Sequence, residues 1–171
     1  LHKAIRRQRQ MCIRDSPHTC KETPLHYFDE HCYQMISGYR RVIEAEKEWE
    51  GKKILLTIDG AAHDSEVFLN GEKVGEHHCG YTAFTMDISG VLRYGEKNIL
   101  VVKVDSREDL NIPPFGYVID YMTYGGIYRD VYLDIKNKDY IEDIFIRTNI
   151  GQMDDQNAEL ISEVTVQRTQ E

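Results

Sequence analysis

Apolar and polar residues alternate in short runs along most of this chain. In Lys53-Ile54-Leu55-Leu56-Thr57-Ile58 the residues Ile54, Leu56 and Ile58 fall on one face of an extended segment. In Ser65-Glu66-Val67-Phe68-Leu69 the inward pair is Val67 and Leu69. Asn70-Gly71 follows directly, then Glu72-Lys73-Val74. Asn-Gly between two such runs predicts a tight hairpin, because both turn residues need positive φ. Asn98 to Val104 is rich in β-branched residues and predicts a well-buried strand. Tyr39–Glu46 and Arg129–Ile135 also read as strands. So do the runs around Ile144, Ile146 and Thr148, and around Leu160, Ser162, Val164 and Val166. Glu44 to Trp49 has helical propensity but is too short for a packed helix, and no longer segment carries a helical stripe. Glu50-Gly51, Asp59-Gly60, Asn70-Gly71 and Tyr94-Gly95 punctuate the runs as turns. Many short strands separated in this way predict an all-β sandwich of the jelly-roll or immunoglobulin kind. Tyr81 and Phe84 are expected to anchor its core, with Ile54, Leu56, Val67, Leu69, Val102 and Ile127 mostly buried.

A polar run at Lys136-Asn137-Lys138-Asp139 marks a boundary. The strands beyond it are too few for a stable sheet of their own, so residues 139–171 read as the truncated start of a second β domain. Residues 1–16 are basic, and the string MCIRDS within them resembles a translated sequencing-adapter scar. They are expected to be a non-native or disordered leader without function. They also lack the apolar stretch of a signal peptide.

Composition narrows the function. With 171 residues and a net charge of −8, the chain lacks the basic footprint of a nucleic-acid binder. It has no apolar run of membrane-spanning length. Cys12, Cys20, Cys32 and Cys79 form no CxxC pair and are expected to be reduced thiols in a cytoplasmic protein. His63 and the pair His77-His78 invite a metal reading, but adjacent strand residues point to opposite faces. They read as scaffold histidines, with no metal expected. No G-x-S-x-G is present, Gly125-Gly126 does not open a helix, and no cofactor is expected.

Residues 111–126, NIPPFGYVIDYMTYGG, stand apart. The stretch is rich in proline, glycine and aromatic side chains and has one charge, Asp120. Rigid loops on a β scaffold carry binding residues, and tyrosines suit the C–H faces and hydroxyls of sugars. From composition alone the plainer reading is a covering loop with a solvated Asp120.

Read in order, the motifs resemble the N-terminal sugar-binding domain of glycoside hydrolase family 2, which holds β-galactosidases and β-glucuronidases. Pro17-His18-Thr19 is similar to the motif with which that domain opens, and Tyr39-Arg40-Arg41 to its first core strand. Trp49-Glu50-Gly51-Lys52 stands before the Ile54 strand as in the family. Val67-Phe68-Leu69-Asn70-Gly71 resembles V-W-L-N-G. Val74-Gly75-Glu76-His77 and Gly80-Tyr81-Thr82-Ala83-Phe84 resemble V-G-x-H and G-G-Y-T-P-F, and Gly126-Ile127-Tyr128-Arg129-Asp130-Val131 resembles G-I-x-R-x-V. Cys20 and Phe68 stand where tryptophan is common, and Cys79 and Ala83 replace a glycine and a proline.

The resemblance implies a galactose-binding-like jelly roll over residues 17–138, followed from residue 139 by the start of an immunoglobulin-like domain. It implies a part of a retaining exo-β-glycosidase, β-galactosidase-like, whose two catalytic glutamates lie on a barrel beyond residue 171. It also implies a substrate-binding role for Asp120, which matches an acidic residue reaching into the sugar site, and fits His63 and His77 to scaffold positions. The expected partners are a carbohydrate, the catalytic barrel and further copies of the same enzyme. The alternative is a free-standing carbohydrate-binding module.

Overall fold

The computed structural model describes residue 20 and residues 30–113, 124–150 and 158–168. The leader, Pro17-His18-Thr19, Cys12 and Asp120 lie outside the described residues.

Eleven strands follow in order among the described residues. They are β1 (Ile36–Glu44), β2 (Lys53–Ile58), β3 (Ala61–Ala62), β4 (Asp64–Leu69), β5 (Glu72–His78), β6 (Phe84–Asp87), β7 (Lys97–Asp105), β8 (Gly126–Ile127), β9 (Val131–Lys136), β10 (Tyr140–Ile150) and β11 (Ala158–Gln167). Short 3₁₀ turns occupy Glu30–Tyr33 and Lys47–Trp49, so the helical propensity before Trp49 is spent on a single turn. The chain divides into two compact units, residues 1–135 and 136–171.

The first unit is an all-β sandwich. A four-stranded antiparallel sheet runs β1-β7-β4-β5, and a three-stranded sheet runs β6-β2-β9. Alternation puts Val67, Leu69, Leu100, Val102 and Val104 of the first sheet into one core with Ile54, Leu56, Ile58, Met86, Val131 and Leu133 of the second. A two-stranded ribbon, β3-β8, pairs Ala61 with Ile127 and Ala62 with Gly126.

The Asn70-Gly71 turn forms as expected, with φ of 53° and 88° between the paired Leu69 and Glu72. Asn70 also acts as glue. Its Oδ1 accepts the Ile99 amide at 3.0 Å and its Nδ2 donates to Asn98 Oδ1 at 2.8 Å. Asn98 is fully buried, yet both ends of its amide are bonded: Oδ1 takes the Arg93 amide, and Nδ2 reaches the Arg93 and Glu96 carbonyls. A buried amide with every group paired is cheap to enclose.

Two expectations need correction. Strand β7 is buried on one face only: Asn98, Leu100, Val102 and Val104 point inward, while Ile99 is exposed on the outer face of the four-stranded sheet. An antiparallel sheet with one face to solvent needs only every second residue to be apolar, and β-branched residues outside still suit the pleat. Tyr81 is no core anchor. It is 36% exposed, on the turn between β5 and β6, while Phe84 packs partly buried against the core.

The second unit is a hairpin of β10 and β11 with Ile144 opposite Val164 and Ile146 opposite Ser162. These apolar side chains remain exposed.

Candidate functional site

Of the stretch singled out in the sequence, the described residues are 111–113 and 124–126. Asp120 lies outside the described residues, and what the structure defines is the frame on either side.

On the leading side, Asp109 Oδ1 accepts the Asn111 backbone amide at 2.8 Å and its side-chain amide at 3.0 Å. The Ile112 amide donates to the Asp109 carbonyl at 3.1 Å. This is an Asx-type turn, which aspartate favours because its carboxylate reaches the backbone two residues on. The Pro113 carbonyl then accepts the Gly80 amide at 2.8 Å.

On the trailing side, glycines are required by close approach. A Cβ on Gly126 would lie 2.1 Å from Tyr39 Oη, and its φ is +89°. A Cβ on Gly125 would lie 2.6 Å from Cys20 Sγ and 2.8 Å from Ser106. Into that space come hydrogen bonds. The Gly126 amide donates to Ser106 Oγ at 3.0 Å, and Ser106 Oγ donates to the Ala62 carbonyl at 2.7 Å. The Ile127 amide donates to Tyr39 Oη at 3.2 Å, and the Cys20 amide to the Gly125 carbonyl at 3.0 Å. Burial pushes the Tyr39 phenol above its usual range, opposed by the Ile127 amide.

The two sides meet at the turn before β6. The Tyr128 hydroxyl donates to the Gly80 carbonyl, and Arg129 Nη1 donates to the Tyr81 carbonyl at 3.0 Å. The Arg129 guanidinium sits over the Tyr128 ring, 5.2 Å from its centre. Gly60 leaves room for this pair: a Cβ there would be 2.9 Å from Arg129 Cδ. Gly80 thus holds the leading flank with its amide and the trailing flank with its carbonyl.

The histidines diverge. His77 Nε2 is 2.8 Å from Thr82 Oγ1, and its ring stacks on Phe84 at 4.4 Å. His78 Nδ1 lies 2.6 Å from Asp64 Oδ1 on the surface. His63 is buried beside the trailing flank, at 3% exposure. Burial holds His63 and His77 below the usual imidazole range. Among the described residues no three His, Cys, Asp or Glu side chains converge as metal ligands. Cys20, Cys32 and Cys79 are present as thiols. Burial would raise the Cys79 thiol, but hydrogen bonds from the Tyr81 amide and from Thr82 outweigh it and lower its pKa.

Sequence reasoning did not anticipate the carboxylate ladder on the outer face of the four-stranded sheet. Glu66 lies between Lys103 Nζ at 2.6 Å and Lys73 Nζ at 2.8 Å, and Lys73 also reaches Glu76 at 2.7 Å. The two ammonium groups push the Glu66 carboxyl down to about 2. No sequence spacing signals the Lys103 contact, which joins strands far apart in the chain.

Among the described residues no helix is long and apolar enough to cross a membrane. Comparison with known proteins gives a consistent set of relatives. The chain is 40% identical over 151 residues to the β-galactosidase of Thermoanaerobacter pseudethanolicus, a match covering 88% of this chain and 20% of that protein. It is 41% identical over 103 residues to the β-glucuronidase of Bacteroides fragilis, covering 60% of this chain and 14% of the relative. Among solved structures it resembles the β-D-glucuronidase of Dictyoglomus thermophilum, with TM-score 0.68 and 26% identity over 78% of this chain and 26% of that one. It also resembles the β-glucuronidase of an uncultured Clostridium sp., with TM-score 0.72 and 25% identity over 88% and 27%. The chain therefore spans about a fifth of the length of the T. pseudethanolicus relative. The description "Glycosyl hydrolases family 2, sugar binding domain" matches residues 22–137. These matches agree with the all-β sandwich, and the chain belongs to glycosyl hydrolase family 2, of which it carries the sugar binding domain.

Proposed function

We propose that this chain is the N-terminal part of a retaining exo-β-glycosidase, β-galactosidase-like, acting on a β-galactoside-like carbohydrate in the cytoplasm. Residues 17–138 are its sugar-binding sandwich, residues 139–171 begin an immunoglobulin-like domain, and residues 1–16 are a non-native leader. The two hydrolytic glutamates belong to the catalytic barrel of the whole enzyme, which assembles as a homo-oligomer. The sandwich supports that barrel and lends it Asp120, whose carboxylate accepts hydrogen bonds from sugar hydroxyls.

The observation that carries this reading is the double tether at Gly80, which fixes the two flanks of the Asp120 segment to one rigid turn. A segment whose two ends are fixed in this way is presented from a scaffold, which suits a binding side chain. The test uses the whole enzyme. Asp120→Asn should lower kcat/KM on aryl β-galactoside by an amount worth roughly 1.5–3 kcal/mol, the range of a charge-assisted hydrogen bond. Unchanged kcat/KM would remove Asp120 from the site, and unfolding of the variant would make it structural. The 171-residue chain alone should hydrolyse neither β-galactosides nor β-glucuronides. Specific sugar binding by this chain alone, without any barrel in the whole protein, would instead favour a free-standing carbohydrate-binding module.

A further inference from the structure

His63 is buried to 3% exposure, and its Nδ1 has no hydrogen-bond partner among the described residues. A neutral imidazole tolerates this if the proton sits on Nε2, because Nδ1 is then only an unused acceptor. A protonated ring carries N–H on both nitrogens. Nδ1 would then be a buried, charged donor with nothing to accept it, a far costlier arrangement.

The surroundings offer little relief. The charged groups acting on the ring among the described residues are Glu108 and Asp105. Asp105, at the end of β7, is already engaged by Arg107 Nη2 at 2.6 Å. Asp64, the next residue along the chain, is paired with His78. The ribbon β3-β8 beside the ring contributes only Ala61, Ala62, Gly126 and Ile127. Glu108 favours the charged ring, but burial outweighs it.

The backbone around His63 is also the seat of the trailing anchor. Its own amide donates to the Asp105 carbonyl at 3.0 Å. The carbonyl of the preceding Ala62 accepts Ser106 Oγ, and that hydroxyl holds the Gly126 amide. Ser106 is itself buried, and its amide donates to the Met35 carbonyl at 2.9 Å. A ring that must leave its pocket to find solvent displaces the peptide on which this bridge depends.

We infer that His63 is a pH-sensitive latch beneath the trailing anchor: protonation of its ring in acid releases the Ser106 bridge between Ala62 and Gly126. The latch acts on the anchor itself and is independent of what Asp120 binds. It makes the hold of Ser106 on Gly126 tight at neutral pH and loose in mild acid, within the range in which histidine titrates.

NMR on the full chain tests this. Amide exchange, corrected for its intrinsic pH dependence, is compared at Gly126 and at the core residues Leu56 and Val102 between about pH 7.5 and about pH 5.5. Protection at Gly126 should fall about tenfold while the core amides hold. In His63→Gln, which cannot take up a proton, the Gly126 protection should stay level. Equal protection of Gly126 at both pH values in the unaltered chain would overturn the latch, as would the same fall in His63→Gln. If that variant does not fold, the His63 ring signal decides. A ring titrating below the ordinary 6.5, in step with the loss of Gly126 protection, supports the latch. A ring titrating at or above that value, with Gly126 still protected, means that Glu108 neutralises it in place and overturns the latch.

Discussion

Ile54 and Ile144 occupy equivalent places in the same kind of alternating pattern, yet Ile54 has no exposed surface and Ile144 keeps half of its own. The difference is not in the strands. In the first unit the apolar face of β2 meets the apolar face of β7 across a sandwich. In the second unit β10 and β11 are well paired along their length, but no second layer among the described residues covers Ile144, Ile146 and Val164. Pairing satisfies backbone groups, while burial of side chains requires a facing layer, and a two-stranded ribbon supplies only the first. Alternation in a sequence therefore encodes a face that seeks cover, not cover itself.

The largest expected effect sharpens this contrast directly. Leu69→Ala should destabilise the first unit by about 2–5 kcal/mol in denaturant unfolding, because its side chain is fully enclosed. Ile146→Ala, at 58% exposure, should change the stability of this chain by less than about 0.5 kcal/mol. Equal costs at the two positions would mean that the hairpin face is covered in solution and would break the comparison.

Gly126→Ala comes next. The residue combines φ of +89° with a Cβ position 2.1 Å from Tyr39 Oη. Strain in the left-handed region is about 1–2 kcal/mol before any clash is counted. Unfolding of Gly126→Ala should show at least that loss, and Tyr39→Phe in the same chain should return part of it by removing the clashing oxygen. A neutral Gly126→Ala would show that the trailing anchor is looser than its hydrogen bonds indicate.

The smallest effect is expected on the solvent face of the sandwich. The Glu66 carboxyl is held at about 2, below its ordinary 4.5. Because the folded-state value is depressed, the contribution is fully present above about pH 4.5 and is lost as pH falls through about 2. Glu66→Gln should flatten that part of the acid limb slightly at low salt and hardly at all at high salt, since exposed ion pairs are screened. An acid limb that is equally steep in Glu66→Gln at low salt would show that the ladder carries no weight.

Much of the fold was legible because it rests on local signals. Ile54, Leu56 and Ile58, or Val67 and Leu69, declare their face by period, and Asn70-Gly71 declares its turn by the need for positive φ. What failed was context. Tyr81 is a large aromatic in a family motif, but the residue stays 36% exposed, and its carbonyl accepts Arg129. Ile99 looks like core and faces out, because the period says which residues share a face and not which face is inside. The Asn98 cluster and the Gly80 tether join residues whose proximity only the folded chain creates. The role proposed for Asp120 rests on resemblance and not on spacing, since a single carboxylate in an aromatic stretch carries no periodic signature.

The Gly80 tether also bears on how such a domain can diversify. Closing a loop costs entropy mainly for bringing its ends together, and each doubling of its length adds only about 0.6 kcal/mol. Here the ends are brought together by Gly80, Tyr128 and Arg129, none of which belongs to the segment they enclose. The entropy of closure therefore tolerates a longer or shorter stretch between the two flanks, so that its sequence can vary while the scaffold that joins its ends stays constant.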